Sequence, residues 1–190
     1  MKRIALIVAA VLTSVCAFAQ APKFARVNIE ELVYLTAAAD SARAQIDAMV
    51  AEADQTLREM ADEGQKKYAE YQQKANTWSE STRKMKEEEL AGIQNRIQTF
   101  QQNNQADLQE QQNKLMAPIQ QKAMDVINKL AKEGGFTLVF TTGQFLYVDE
   151  SQVVDLTPAA RKLLRIPDCR TLESLQAELQ AKAAAAQQNQ

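Results

Sequence analysis

The sequence predicts a mainly α protein with a small β base: a long antiparallel helical hairpin, coiled-coil-like, standing on a few short strands. Three observations carry this. Across residues 28–133 the chain holds one proline, Pro118, and two glycines, Gly64 and Gly92, in a background rich in Gln, Glu and Lys. Apolar residues recur there in threes and fours as a thin stripe, the pattern of helices that meet along a single seam. Glycine, β-branched and aromatic residues crowd the two flanks instead, at 24–27 and 134–148.

The chain opens with Lys2 and Arg3, an apolar run over 4–15 and then Ala17-Phe18-Ala19. That is the make-up of an export signal over residues 1–19, cleaved after Ala19. The run is too short to span a bilayer. Bulky Val15 ahead of Cys16 argues against a lipidation site. Cleavage removes Cys16 and leaves Cys169 alone, so the exported chain has no internal disulfide.

The whole chain carries a formal charge of −2 and no histidine. Loss of Lys2 and Arg3 makes the mature part more acidic still. An acidic chain without a basic stripe does not suit nucleic acid, whose phosphates need clustered Lys and Arg. Missing histidine removes the commonest general base and metal ligand, and no P-loop, nucleophile elbow or Cys-x-x-Cys replaces it. The sequence therefore reads as a non-enzyme, with no catalytic residue, cofactor or metal.

In chain order, residues 24–27 are β-like. Asn28 with Glu31 three residues on has the spacing of a capping box, which starts the first helix. Its seam runs through Ile46, Met49, Ala53, Leu57, Met60, Gly64, Tyr68, Tyr71, Ala75 and Trp78. Residues 76–82 collect cap and turn types, which places the reversal there. A second helix follows over about 83–132, with a seam from Leu90, Ile93, Ile97 and Phe100 through polar Asn104, Leu108 and polar Gln111 to Leu115, Ile119, Ala123, Val126 and Leu130. At 1.5 Å per residue each leg spans roughly 70 Å. The polar stretch 101–113 and Pro118 loosen the seam and the helix.

Gly134-Gly135 is a helix stop. Residues 136–140 read as a strand, Thr141-Thr142-Gly143 as a turn and 145–148 as a second strand, together a hairpin. Residues 153–156 lead to Thr157 as an N-cap with Pro158 behind it, and a short helix follows through 165. The chain thus divides into a body at 20–28 plus 134–165, an arm at 29–133 and an extension at 166–190, helical over 172–185 with a disordered tail. Three short strands cannot form a core of their own. The base is therefore expected to oligomerise through Val27, Phe136, Leu138, Phe140, Leu146 and Val148.

Two blocks carry a resemblance. Ala25-Arg26-Val27-Asn28 followed by Ile29-Glu30-Glu31-Leu32, and Phe136-Thr137-Leu138-Val139-Phe140 with Leu146-Tyr147-Val148 and Val154-Asp155-Leu156-Thr157, resemble the entry and the closing strands of the Skp/OmpH family of periplasmic chaperones. The resemblance covers residues 24 to about 164, with the arms matching as pattern. It implies a homotrimer with a β-barrel-like body, from which three helical hairpins hang as tentacles around a cavity. It also implies periplasmic, ATP-independent holding of unfolded outer-membrane proteins. The acidity of this chain departs from a basic family member and weighs against membrane association.

Holding many clients weakly needs adaptable apolar surface. Tyr68, Tyr71, Trp78, Met85 and Met116 are the candidates for client contact. A structural coiled-coil spacer or envelope adaptor is the alternative, and it would want a seam filled throughout.

Overall fold

The computed structural model describes residues 22–188. The export signal read over 1–19 lies outside them. The elements are β1 (Phe24–Val27), α1 (Ile29–Tyr34), α2 (Ala37–Lys74), α3 (Glu80–Gly134), β2 (Leu138–Thr141), a 3-10 turn (Glu150–Gln152), β3 (Val153–Asp155), α4 (Thr157–Leu163) and α5 (Leu172–Gln188).

The arm is the antiparallel pair α2 and α3, of 38 and 55 residues. Those lengths correspond to about 57 and 83 Å. The reversal occupies residues 75–79, and Ser79 starts α3 by accepting from the Thr82 N–H at 3.2 Å. The two seams meet as their spacing predicts. Ala53 and Ile93 are buried, while Leu57, Met60, Ile97, Phe100, Asn104, Leu108 and Gln111 are half-buried. Tyr68 is the exception, 54% exposed. Among the described residues, the ion pairs that cross between the legs, Lys67–Glu89 and Arg96–Glu63, lie in the half nearer the tip.

One expected helix is two. The first leg breaks after Tyr34, and Thr36 makes the joint: its buried hydroxyl donates to the Val33 carbonyl at 3.2 Å and accepts from the Ala39 N–H at 3.1 Å. A buried Thr that bonds to both sides of itself competes with the helical ladder. The N-cap forms as expected, but the Glu31 side chain bonds the Asn28 side chain rather than its backbone N–H, so the box is not reciprocal. Asn28 Oδ1 accepts from the Glu31 N–H at 3.3 Å, and its Nδ2 donates to Glu31 Oε1 at 3.0 Å.

The expected closing hairpin is corrected. Residues 145–148 are not a strand, and the first closing strand is Leu138–Thr141 rather than 136–140. The sheet has the order β2-β1-β3 and is parallel throughout, with Ala25 opposite Val139 on one side and Val154 on the other. β1 thus takes the position beside β2 that a hairpin would have needed. The chain after β2 turns at Gly143, where φ is 83°, and Phe145 folds its ring edge-on against Phe140 at 4.9 Å. Parallel pairing requires the chain to cross back between strands. α3 supplies that crossing by running past the root of the arm along the body, which is why it outgrows α2.

The cap of α4 also differs. Leu156 is its N-cap residue and has no side-chain cap bond, and Thr157 is already helical. Asp155 Oδ1 accepts from the Thr157 N–H at 2.8 Å, while the Thr157 hydroxyl accepts from the Asn28 N–H at 2.9 Å. The core sits where arm and body join. Leu32 and Leu35 are fully buried among Val27, Val33, Ala39, Ala42, Ile119, Ala123, Ile127 and Ala160. Its alanines let α2, α3 and α4 approach closely.

Candidate functional site

Near the tip, the seam opens into a groove of 520 Å³ between the legs, lined by Gly64, Tyr68, Tyr71, Leu90, Ile93 and Ile97. The width follows from the residue types. Gly64 offers no side chain, and a Cβ there would come within 3.4 Å of Ile93 Cγ2. Tyr71 closes the upper end. Its ring meets Trp78 edge-on, with centroids 6.0 Å apart and planes at 62°. Its hydroxyl donates to Glu87 at 2.5 Å, and that bond to a carboxylate holds its proton above the usual phenol range.

Charged side chains also join the legs at this height. Glu89 lies between Lys67 and Lys86, whose hydrogen bonds hold its carboxyl below the usual range, and the same pairing raises Lys67. The groove itself is lined mainly by apolar side chains, with Glu87 and its bond to Tyr71 at one end. Such a surface can hold an extended apolar chain in many registers without a specific pocket.

The structure gathers some of the candidates and separates others. Tyr68 and Tyr71 line the groove, and Trp78 backs Tyr71. Met85 stands 60% exposed on α3 just after the turn. Met116 lies elsewhere, half-buried against the core at the root of the arm. Leu90, Ile93 and Ile97 were read only as seam. Their seam period hides the groove, because Gly64 and the outward turn of Tyr68 leave Leu90 and Ile97 partly uncovered around the buried Ile93.

The second surface is on the body. β2 and β3 are the sheet edges, and Leu138 and Val154 on them are about half exposed. Phe140 and Val148 are half-buried, as is Phe136, whose ring lies against Gly134. Val27 is buried within the chain's own core. Beyond the turn, Phe145-Leu146-Tyr147 projects outward, with Leu146 fully exposed and Tyr147 84% exposed. Apolar side chains in such a run mark an interaction face.

A polar hollow of 460 Å³ lies beside β1 and α4, lined by Arg26, Asn28, Glu31, Asp155, Thr157 and Arg161. Its charges face one another. Arg161 pairs with Glu31, and Arg26 reaches Asp155 at 3.3 Å and Glu150 at 2.5 Å. Burial would raise the Asp155 carboxyl, but hydrogen bonds from Thr157 and the Arg26 charge outweigh it and hold it low. These groups tie α1, the sheet and α4 together. Among the described residues no cluster of acidic or cysteine side chains has the make-up of a metal site, and no helix is long and apolar enough to cross a membrane.

An extended arm with an apolar groove, on a body whose polar hollow has Arg26 and Arg161 in ion pairs, defines a binding scaffold. The family model for OmpH-like outer membrane proteins matches residues 23–164, most of the chain. The chain belongs to that family, a family of chaperones rather than enzymes. Among solved structures it is similar to an OmpH-like protein of Caulobacter crescentus, designated a candidate outer membrane chaperone. The TM-score is 0.66 at 12% identity, over 76% of this chain and 84% of the other. That likeness is one of fold. No curated protein matches the sequence closely enough to count as a relative.

Proposed function

We propose that this protein is an ATP-independent periplasmic holdase that works as a homotrimer. It binds unfolded outer-membrane proteins between its arms and keeps them from aggregating. The tip groove carries the reading, because it leaves Tyr68 exposed and Leu90 and Ile97 partly open above the buried Ile93. Strand edges bearing Leu138 and Val154, together with the projecting 145–147 segment, support self-assembly of the body. Three arms around one body would give a client many weak contacts at once, whose summed effect exceeds any single one. Release then needs no energy source, since each contact opens alone.

The experiment is dilution of a urea-unfolded β-barrel outer-membrane protein into the chaperone. Turbidity should be suppressed at near one trimer per client, and light scattering should give about three times the chain mass. Tyr68→Ser with Ile97→Ser should weaken protection while leaving the mass unchanged. Leu138→Asp should dissociate the trimer by setting a charge in its interface. Absence of protection at every salt concentration would overturn the holdase reading in favour of the spacer.

A further inference from the structure

Residues beyond 164 lie outside the family match, yet they are docked on both body and arm. The chain reverses at Arg165, whose φ of 56° is a left-handed conformation unfavourable for a non-glycine residue. Ile166 is buried, and the Arg161 guanidinium donates to the Pro167 and Arg170 carbonyls at 2.7 and 2.6 Å while pairing with Glu31 of α1. This first part is anchored to the body.

The next part grips the arm. Arg170 pairs with Asp40 at 2.5 Å, Leu175 buries in the junction core, and Lys182 pairs with Asp47. α5 therefore runs up the arm in the same direction as α2. The grip is light. Lys182 and Asp47 are both more than half exposed, Leu179 is also exposed, and Arg170 Nε is buried with no hydrogen-bond partner among the described residues. Elements held by few buried contacts and exposed charges are the ones that open first.

The segment from Arg161 to Lys182 spans a break in the first leg. Arg161 holds Glu31 of α1 on the body side, Arg170 and Lys182 hold Asp40 and Asp47 of α2 on the arm side, and the break at Thr36 lies between. Beyond the Thr36 joint, the Arg43 guanidinium spans that break, donating to the Tyr34 carbonyl at 3.1 Å. In α3, Pro118 lacks the N–H that would bond to the Lys114 carbonyl. Ile119 and Ala123 next to it pack in the same cluster as Ala39 and Ala42. Both legs are thus weakened at one height.

We propose that α5 is a detachable strap across a hinge at the root of the arm. Docked, it holds the arm at one angle to the body; released, it lets the arm swing. Its consequence for clients, a wider space between arms, rests on the holdase reading, whereas the strap itself does not.

The test uses the mature full-length chain with Cys169→Ser, carrying dyes at Asn76→Cys in the turn and Gln144→Cys in the body. A few labelled chains are diluted among unlabelled ones, so that energy transfer reads the tip-to-body distance within one chain. Lys182→Glu, on the exposed surface, should raise hydrogen exchange of α5 amides about fivefold. It should also broaden the distance distribution, leave β1 amides protected, and be reversed by adding Asp47→Lys. High salt should act on the unsubstituted strap in the same direction. Unchanged exchange would show that the pair does not hold α5, and released α5 with an unchanged distribution would show that it does not set the arm; either overturns the proposal. The distance measurement contains no client, so failure of aggregation suppression would count against the chaperone reading alone.

Discussion

The arm and the body of this molecule are built from the same chain by opposite means. Along the arm, each seam residue meets its partner because a helical period brings it there, and away from the junction only Ala53 and Ile93 are buried among the described residues. In the body, β1 pairs with strands that lie beyond the whole arm in sequence, and Leu32 and Leu35 are fully enclosed. Asn28 and Thr157, 129 residues apart, share a hydrogen bond. Reach comes from a thin periodic seam and anchorage from dense, non-local packing. Stability should therefore concentrate at the junction, and compliance along the arm.

The sharpest way to break that contrast is Leu32→Ala. Loss of a fully buried leucine in the junction should cost about 3 kcal/mol, read as a lower denaturant midpoint with arm and body unfolding together. Ile93→Ala should cost less, about 2 kcal/mol, because a two-helix seam can close around the gap. Hydrogen exchange should then accelerate around residues 60–97 while β1 amides stay protected. An equal effect of the two would show that the arm is as well packed as the junction. Asn28→Ala removes the cap at the entry to α1 and should cost about 1 kcal/mol, again in the denaturant midpoint.

Gly92→Ala runs the other way. A Cβ there meets nothing within 4 Å, so the arm should gain up to about 1 kcal/mol of helix stability and exchange more slowly. The smallest effect is electrostatic. Glu89 has a carboxyl held low by Lys67 and Lys86, so the folded chain binds fewer protons there than the unfolded one. Its contribution is complete above the unfolded value near pH 4 and falls away as pH drops through the lowered one. Thermal melts between pH 7 and pH 3 should show a shallower acid loss for Glu89→Gln, by a small margin because the pair is solvent-exposed.

The arm was legible from residues alone. Asn28 announced the N-cap of the first helix, and residues 76–82 bracketed most of a reversal that the structure places at 75–79. The seam of α3, including its polar positions Asn104 and Gln111, falls where the spacing put it. The break at Thr36 was not legible, because a Thr ahead of an Ala-rich run is tolerated within a helix and only burial of the hydroxyl and its bonds to both sides turn it into a joint. The body was half legible. Strand-forming residues stand out at 24–27 and 136–140, of which 138–140 fall in β2, yet the pattern of 145–148 is equally that of a strand and became an exposed segment.

The tip groove followed the same division. Tyr68 and Tyr71 were picked out as broad apolar surface, but only the packing of Gly64 against Ile93 shows that the legs leave Leu90 and Ile97 partly open between them. Arg161 drew no notice in the sequence. Its importance comes from Glu31, Pro167 and Arg170 converging on it from three segments.

What the sequence by itself determined is the periodic part: two long legs, their seam, their caps and the turn between them. These depend on interactions three or four residues apart, whose geometry the helix supplies in advance. The tertiary structure decided which strands pair, that they pair in parallel, where the arm is jointed and where α5 comes to rest. Period-two alternation names a strand without naming its partner. That choice is made by which distant segments can satisfy both edges of β1 at once.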